Sequence, residues 1–227
     1  MRWAMVIGAL ATVALVLFGI ATTPHFFTGH QPWLGLFAAC GIVAAYGAAG
    51  YLAIPALLRG PSGILRVAGP LGLAAGAVYA VEIIGEYAVQ PADNTPWGLV
   101  EFGAVFILMA LAGGVLAWRT GRLRPALAGG LWTALIAPLI WYAVVLATFY
   151  LFRGTPAQEA VLRAEGDYED FARSGMSDFN VFAMQDFLGA GFYHLLLSPV
   201  FGLVLGGLGA APALLLRRLR PTGAPLA

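Results

Sequence analysis

Six long apolar runs alternate with short polar or Pro/Gly-rich breaks along the chain, at residues 3–22, 33–58, 67–90, 97–118, 126–152 and 188–216. Each reaches or exceeds the roughly 20 residues that a helix needs to cross the apolar core of a bilayer. Backbone N–H and C=O groups in lipid must be satisfied within their own segment. None of the runs alternates apolar and polar residues as a barrel strand would, so all six are predicted to be helices. The pattern predicts an all-α fold, a polytopic membrane helix bundle with about six transmembrane helices in a single membrane domain over residues 1–227. The stretch Pro91-Ala92-Asp93-Asn94-Thr95-Pro96 allows only a tight antiparallel connection, so the third and fourth spans are expected to be neighbours.

The one sizeable segment outside these runs is 153–187. Thr155-Pro156 reads as an N-cap with proline in the first turn. Val161, Ala164, Tyr168 and Phe171 then recur at helical spacing opposite Glu159, Arg163, Asp167 and Asp170, which predicts one amphipathic helix ending near Gly175. Ser177 is placed as the cap of a second helix running through Phe179 into the sixth span. The segment is expected to cap the bundle or lie at the interface, with a lid or a docking surface for a partner protein as the sharper alternatives.

Composition agrees with a membrane protein: 60% of the residues are hydrophobic and 10% are charged. The net charge of +1 conceals a segregation by side. Arg2, Arg59, Arg66, Arg119, Arg122, Arg124, Arg217, Arg218 and Arg220 fall at ends that six alternating spans put on one side. That side is cytoplasmic by the excess of basic residues, so both termini are expected in the cytoplasm. All twelve basic residues are arginine, a bias typical of GC-rich bacterial genes, and the bacterial inner membrane is the expected location. No basic face is left for nucleic acid. The apolar run after Arg2 is long for a signal peptide and is taken as a retained anchor. Cys40 is the single cysteine, which excludes an intrachain disulfide.

Ionisable groups inside apolar spans are costly and tend to mark a pathway or a site. Glu82 and Glu86 lie four apart on one face of the third span, with Tyr79 beside them. Glu101 lies about one turn into the fourth span and His194 about two turns into the sixth, with Asp186 at its mouth. At a rise of about 1.5 Å per residue, Glu86 and Glu101 sit roughly 6 Å below the outer boundary, and Glu82 and His194 roughly 11 Å. No arginine shares that depth. The set is therefore expected to hold protons or a small cation, or alternatively a divalent metal bound by Glu82, Glu86, Glu101 and His194. His25 and His30 in the first outer loop are interfacial by their surroundings, but lie on the correct side to join such a site.

Other chemistry finds little support. Walker and dinucleotide patterns are absent, and Gly206-Gly207-Leu208-Gly209 lies within an apolar helix, so no nucleotide is expected. Bis-histidine heme would need two deep histidines, and only His194 qualifies. Ser198, one turn from His194, is expected to make an intrahelical hydrogen bond. Pro138 and Pro199 should free carbonyl groups within the fifth and sixth spans. Small residues at Gly41, Ala45 and Ala49, and at Gly202, Gly206 and Gly209, are spaced for close helix contact, within the monomer by preference and between copies as the alternative.

Three functions remain in order of preference. The first is proton- or cation-linked transport, or a channel, with the acidic site open to the outside. The second is a membrane-embedded metal-dependent hydrolase acting on a lipid or envelope substrate. The third is a non-catalytic subunit or assembly factor of a membrane complex, docking through 153–187.

Overall fold

The computed structural model describes residues 2–28, 32–59, 63–91 and 93–219. Among these the chain is helical with no strand: α1 (Arg2–Ala21), α2 (Pro32–Arg59), α3 (Ile64–Val89), α4 (Thr95–Thr120), α5 (Leu123–Leu151), α6 (Pro156–Glu165), α7 (Asp167–Ser174) and α8 (Phe179–Leu219). By length and composition α1, α2, α3, α4, α5 and α8 are able to cross a membrane, so the chain is a multi-pass membrane bundle.

The termini of these helices follow local chemistry. Gln90 turns left-handed (φ 51°) and returns its N–H to the Glu86 carbonyl, closing α3. Asp93 Oδ1 accepts the Thr95 N–H at 2.9 Å and Pro96 occupies the first turn, which opens α4. Gly121, at φ 68°, ends α4 one residue before the arginines of the next connection.

α5 lies at the centre. It packs against α3, α8, α4 and α1, while α4 also packs on α8 and α3, and the α1–α2 pair lies along α5 and α8. The α4–α5–α8 seam is made of glycine: Gly113 and Gly130 both face Gly206, Gly130 also faces Gly202, and Gly209 faces Ala110. Lipid offers little hydrophobic drive for association between helices, so this close backbone approach is a principal source of cohesion. The second small-residue stripe differs from expectation. Gly41 and Ala45 point outward, a β-carbon at Gly41 would meet no neighbour within 4 Å among the described residues, and α1 instead meets α2 at Gly47 and Gly50.

Two prolines inside the bundle show how such a core is completed. Pro138 has no N–H, so the Ala134 carbonyl four residues earlier loses its helical donor. Ser198 Oγ of α8 donates to that carbonyl at 3.0 Å. Pro199 frees the Leu195 carbonyl in the same way, and Tyr46 Oη of α2 donates to it at 2.6 Å. The Ser198 bond thus joins two helices and is not intrahelical, because the vacated Ala134 carbonyl is the better acceptor. Tyr46→Phe and Ser198→Ala are each expected to destabilise the bundle by about 0.5–2 kcal/mol, as read from unfolding in mixed micelles.

The 153–187 segment departs from the predicted single helix. Thr155 caps α6 as expected, its Oγ1 accepting the Gln158 N–H, but Gly166 at φ 86° stops that helix and redirects the chain into α7. A β-carbon is disfavoured in that backbone conformation and glycine is not. α8 runs from Phe179 without a break into the sixth span, as the expected second helix does, but its cap is Asp178 and not Ser177. Asp178 Oδ1 accepts the N–H groups of Asn180 and Val181 at 2.8 and 3.2 Å. With 41 residues α8 is about 60 Å long, twice the apolar thickness of a bilayer, so its first turns stand beyond the membrane beside α6 and α7.

Candidate functional site

The short helices are fastened over one end of the bundle. Gln158, 6% exposed, donates to the Phe149 carbonyl at 3.0 Å and accepts the Gly154 N–H at 2.9 Å, which fixes the base of α6 on the end of α5. Val161 packs with Ile83 and Tyr87 of α3. In α7, Tyr168 stacks on Phe179 at 4.6 Å and Phe171 meets Phe179 and Phe182, holding this helix to the first turns of α8. These contacts turn the end of α6 and the start of α7 toward the mouth of the space between α3, α4, α5 and α8.

That space is a half-open vestibule of about 350 Å³. Six carboxylates line it: Glu82 and Glu86 from α3, Glu101 from α4, Glu165 from α6, Asp167 from α7 and Asp186 from α8, together with His194. They grade inward from exposed Glu165 and Asp186 at the rim, through half-buried Asp167 and Glu82, to Glu86 and Glu101, each 6% exposed. Glu86 lies within hydrogen-bonding reach of both Glu82 and Glu165. Glu101 has no hydrogen bond or ion pair among the described residues, although it is almost wholly withdrawn from the surface.

No arginine among the described residues lines this vestibule. Arg163 pairs with Glu159 at 2.7 Å and lies over the Tyr168 ring, Arg173 pairs with Asp170, and Arg153 donates to the Thr22 carbonyl at 3.2 Å. All three arginines of the segment are thus engaged on outer surfaces. At the rim, Glu165 keeps one side toward water, but the protein packed around its carboxyl, and then the negative charges of Glu86 and Asp167, push it up to about 8. Asp167 is pushed up to about 7, chiefly by burial and then by Asp186. Asp167 Oδ2 is buried with no hydrogen-bond partner among the described residues.

His194 stacks on Trp141 with ring centroids 4.1 Å apart. Its Nδ1 lies 2.9 Å from the Ala190 carbonyl, and a carbonyl only accepts, so Nδ1 carries a hydrogen and Nε2 is left as the free nitrogen. Below this level a second, apolar chamber of about 210 Å³ continues along α4 and α8, lined by Tyr79, Phe102, Phe106, Met109, Trp141 and Phe201 among others. Phe102, Trp141 and His194 border both spaces.

The structure therefore brings Glu82, Glu86, Glu101, Asp186 and His194 around one cavity and puts Tyr79 in the chamber beneath it. His25, in a left-handed turn at φ 61°, is not among the lining residues, and His30 lies outside the described residues. Glu165 and Asp167 were not anticipated as members. Their one sequence signal is Gly166, a helix-stopping residue set between two acids. Among the described residues no three His, Cys, Asp or Glu side chains converge closely enough to hold a metal ion. Comparison with protein-family models, with curated proteins and with solved structures returns no match to this chain.

Proposed function

We propose that the protein carries protons or cations across the membrane, and that the acidic vestibule is the site where they bind from the extracytoplasmic side. The observation that carries this reading is the grouping of six carboxylates from five helices in one water-accessible space that no arginine among the described residues lines. Such a space attracts cations and repels anions, and its low-dielectric walls strengthen both effects. The arginine distribution along the chain supports placing this end outside the cell.

Within this reading Glu82 and Glu86 hold the ion, since they are paired on one helix face and within reach of each other. Glu101, at the floor, relays or gates. His194, its Nδ1 held by the Ala190 carbonyl, borders the vestibule with Nε2 left free beside the ion. Protons and cations then compete for the same oxygens, which is the physical requirement for coupling the two fluxes.

Purified protein in proteoliposomes should dissipate an imposed pH gradient or drive cation uptake with it. The double variant Glu82→Gln, Glu86→Gln keeps the shape of both side chains and is expected to reduce flux to that of protein-free vesicles. Flux equal to wild type in that variant would overturn the proposal.

A further inference from the structure

The vestibule and the chamber below it differ in chemistry yet share three walls, and that junction bears on what kind of cation fits. The carboxylates are spread around the vestibule and no three close on one point. A compact metal ion needs several oxygens at about 2.0–2.6 Å. A large, diffuse cation does not. Glu101 supplies an independent indication: it is 6% exposed, faces the cavity and has no partner among the described residues, so a buried carboxylate there awaits a positive group.

Around the level of Glu101 the walls become aromatic. Tyr79 meets Phe102 and Trp141 edge-on with centroids 6.5 Å apart, Phe102 leads to Phe106 at 6.1 Å, and Phe106 stacks on Phe201 at 5.6 Å. Aromatic faces attract ammonium groups, most strongly where water is excluded. The chamber they enclose, about 210 Å³, compares with the cavity of about 150 Å³ that accepts benzene in an engineered protein core, so one aromatic ring with a short linker fits. Glu82 and Glu101 also border a groove between α3 and α4 whose walls include the exposed Val81 and Val100. The same two carboxylates are thus reachable from the aqueous vestibule and from the lipid-facing side.

We propose that vestibule and chamber together bind an amphiphilic organic cation, with its ammonium group held by Glu82 and Glu86 above Glu101 at the floor, and a single aromatic or short alkyl tail among Phe102, Phe106, Trp141 and Phe201. The assignment rests on the reading of the vestibule as a cation site and names its substrate class. The carboxylates supply charge recognition, the chamber supplies the preference for an apolar tail, and the groove between α3 and α4 gives a membrane-dissolved amphiphile a route to the site.

The test is calorimetric titration of the protein in lipid nanodiscs with benzyltrimethylammonium, tetramethylammonium and neutral benzyl alcohol. Benzyltrimethylammonium is expected to bind about tenfold or more tightly than tetramethylammonium, and benzyl alcohol to give no saturable binding. Glu101→Gln should weaken both ammonium probes. Leu197→Trp fills the chamber from its exposed, lipid-facing wall, and Phe106→Ala removes a wall without adding bulk. Each should bring the ratio between the two ammonium probes close to one. Equal affinities in the wild-type protein, still lost on Glu101→Gln, would overturn the organic-cation assignment while preserving a small-cation site. Absence of any carboxylate-dependent cation binding would overturn both.

Discussion

Replacing Gly130 with leucine is expected to prevent assembly of the bundle. A side chain at that position on α5 would have to occupy the space of the Gly202 carbonyl and the Gly206 backbone of α8. A flexible side chain yields to such a collision, but a helix backbone does not. The cost should therefore exceed the roughly 1–3 kcal/mol typical of an overpacked core, and it falls on a total stability of about 5–15 kcal/mol. Gly113→Val on α4 meets the same Gly206 and should behave alike. Gly41→Leu provides the contrast, because a β-carbon there would meet no neighbour within 4 Å among the described residues. Size-exclusion profiles and thermal unfolding in detergent separate the two classes. A Gly130→Leu protein that purifies and melts like wild type would show that the α4–α5–α8 seam does not hold the fold together.

That seam marks the boundary of what one chain of letters discloses. The six spans were readable because the length of an apolar run is itself the signal, and their ends differ from the structure by a few residues except in α8. There the run from Phe179 to Phe187 is amphipathic, as befits turns that stand beyond the membrane against α7, so apolar length does not reach it and only the capping pattern before Phe179 reveals the helix. Glu82, Glu86, Glu101 and His194 stood out because charge is rare in lipid-spanning segments. Glu165 and Asp167 did not stand out, since acids in a polar loop are ordinary. Only the turn at Gly166 brings them to the vestibule rim. The chamber was hidden for the opposite reason, being lined by aromatic and aliphatic residues that read as core. The partners of the proline-freed carbonyls, Ser198 and Tyr46, lie 64 and 149 residues from their acceptors, a relation that exists only once the helices are packed.

Docking of α6 and α7 over the vestibule should weaken as pH rises. Glu165 in the docked segment is protonated up to about pH 8 because burial and the charge of Glu86 oppose its ionisation, whereas an undocked glutamate in water returns to its ordinary value of 4.5. Asp167 behaves in the same sense, rising to about 7 from 3.8. Between the undocked and docked values the docked form holds more protons, so raising the pH favours the form that has released them. Docking is thus strongest below about pH 4, declines as pH climbs through the interval to about 8, and is level above it. Glu165 keeps an exposed side toward water, which screens the effect, and a change of about tenfold in the docking equilibrium across that interval is expected. Amide hydrogen exchange over residues 156–174, corrected for the intrinsic pH dependence of exchange, reads this directly. Protection should fall from pH 5 to pH 8.5 in the wild-type protein, and Glu165→Gln should flatten most of the slope while raising protection at the alkaline end. Protection that stays constant or grows with pH would mean that the rim carboxyls do not govern the segment. A saturating organic cation should restore docking at high pH, because the added positive charge relieves the same repulsion that the lost protons had relieved.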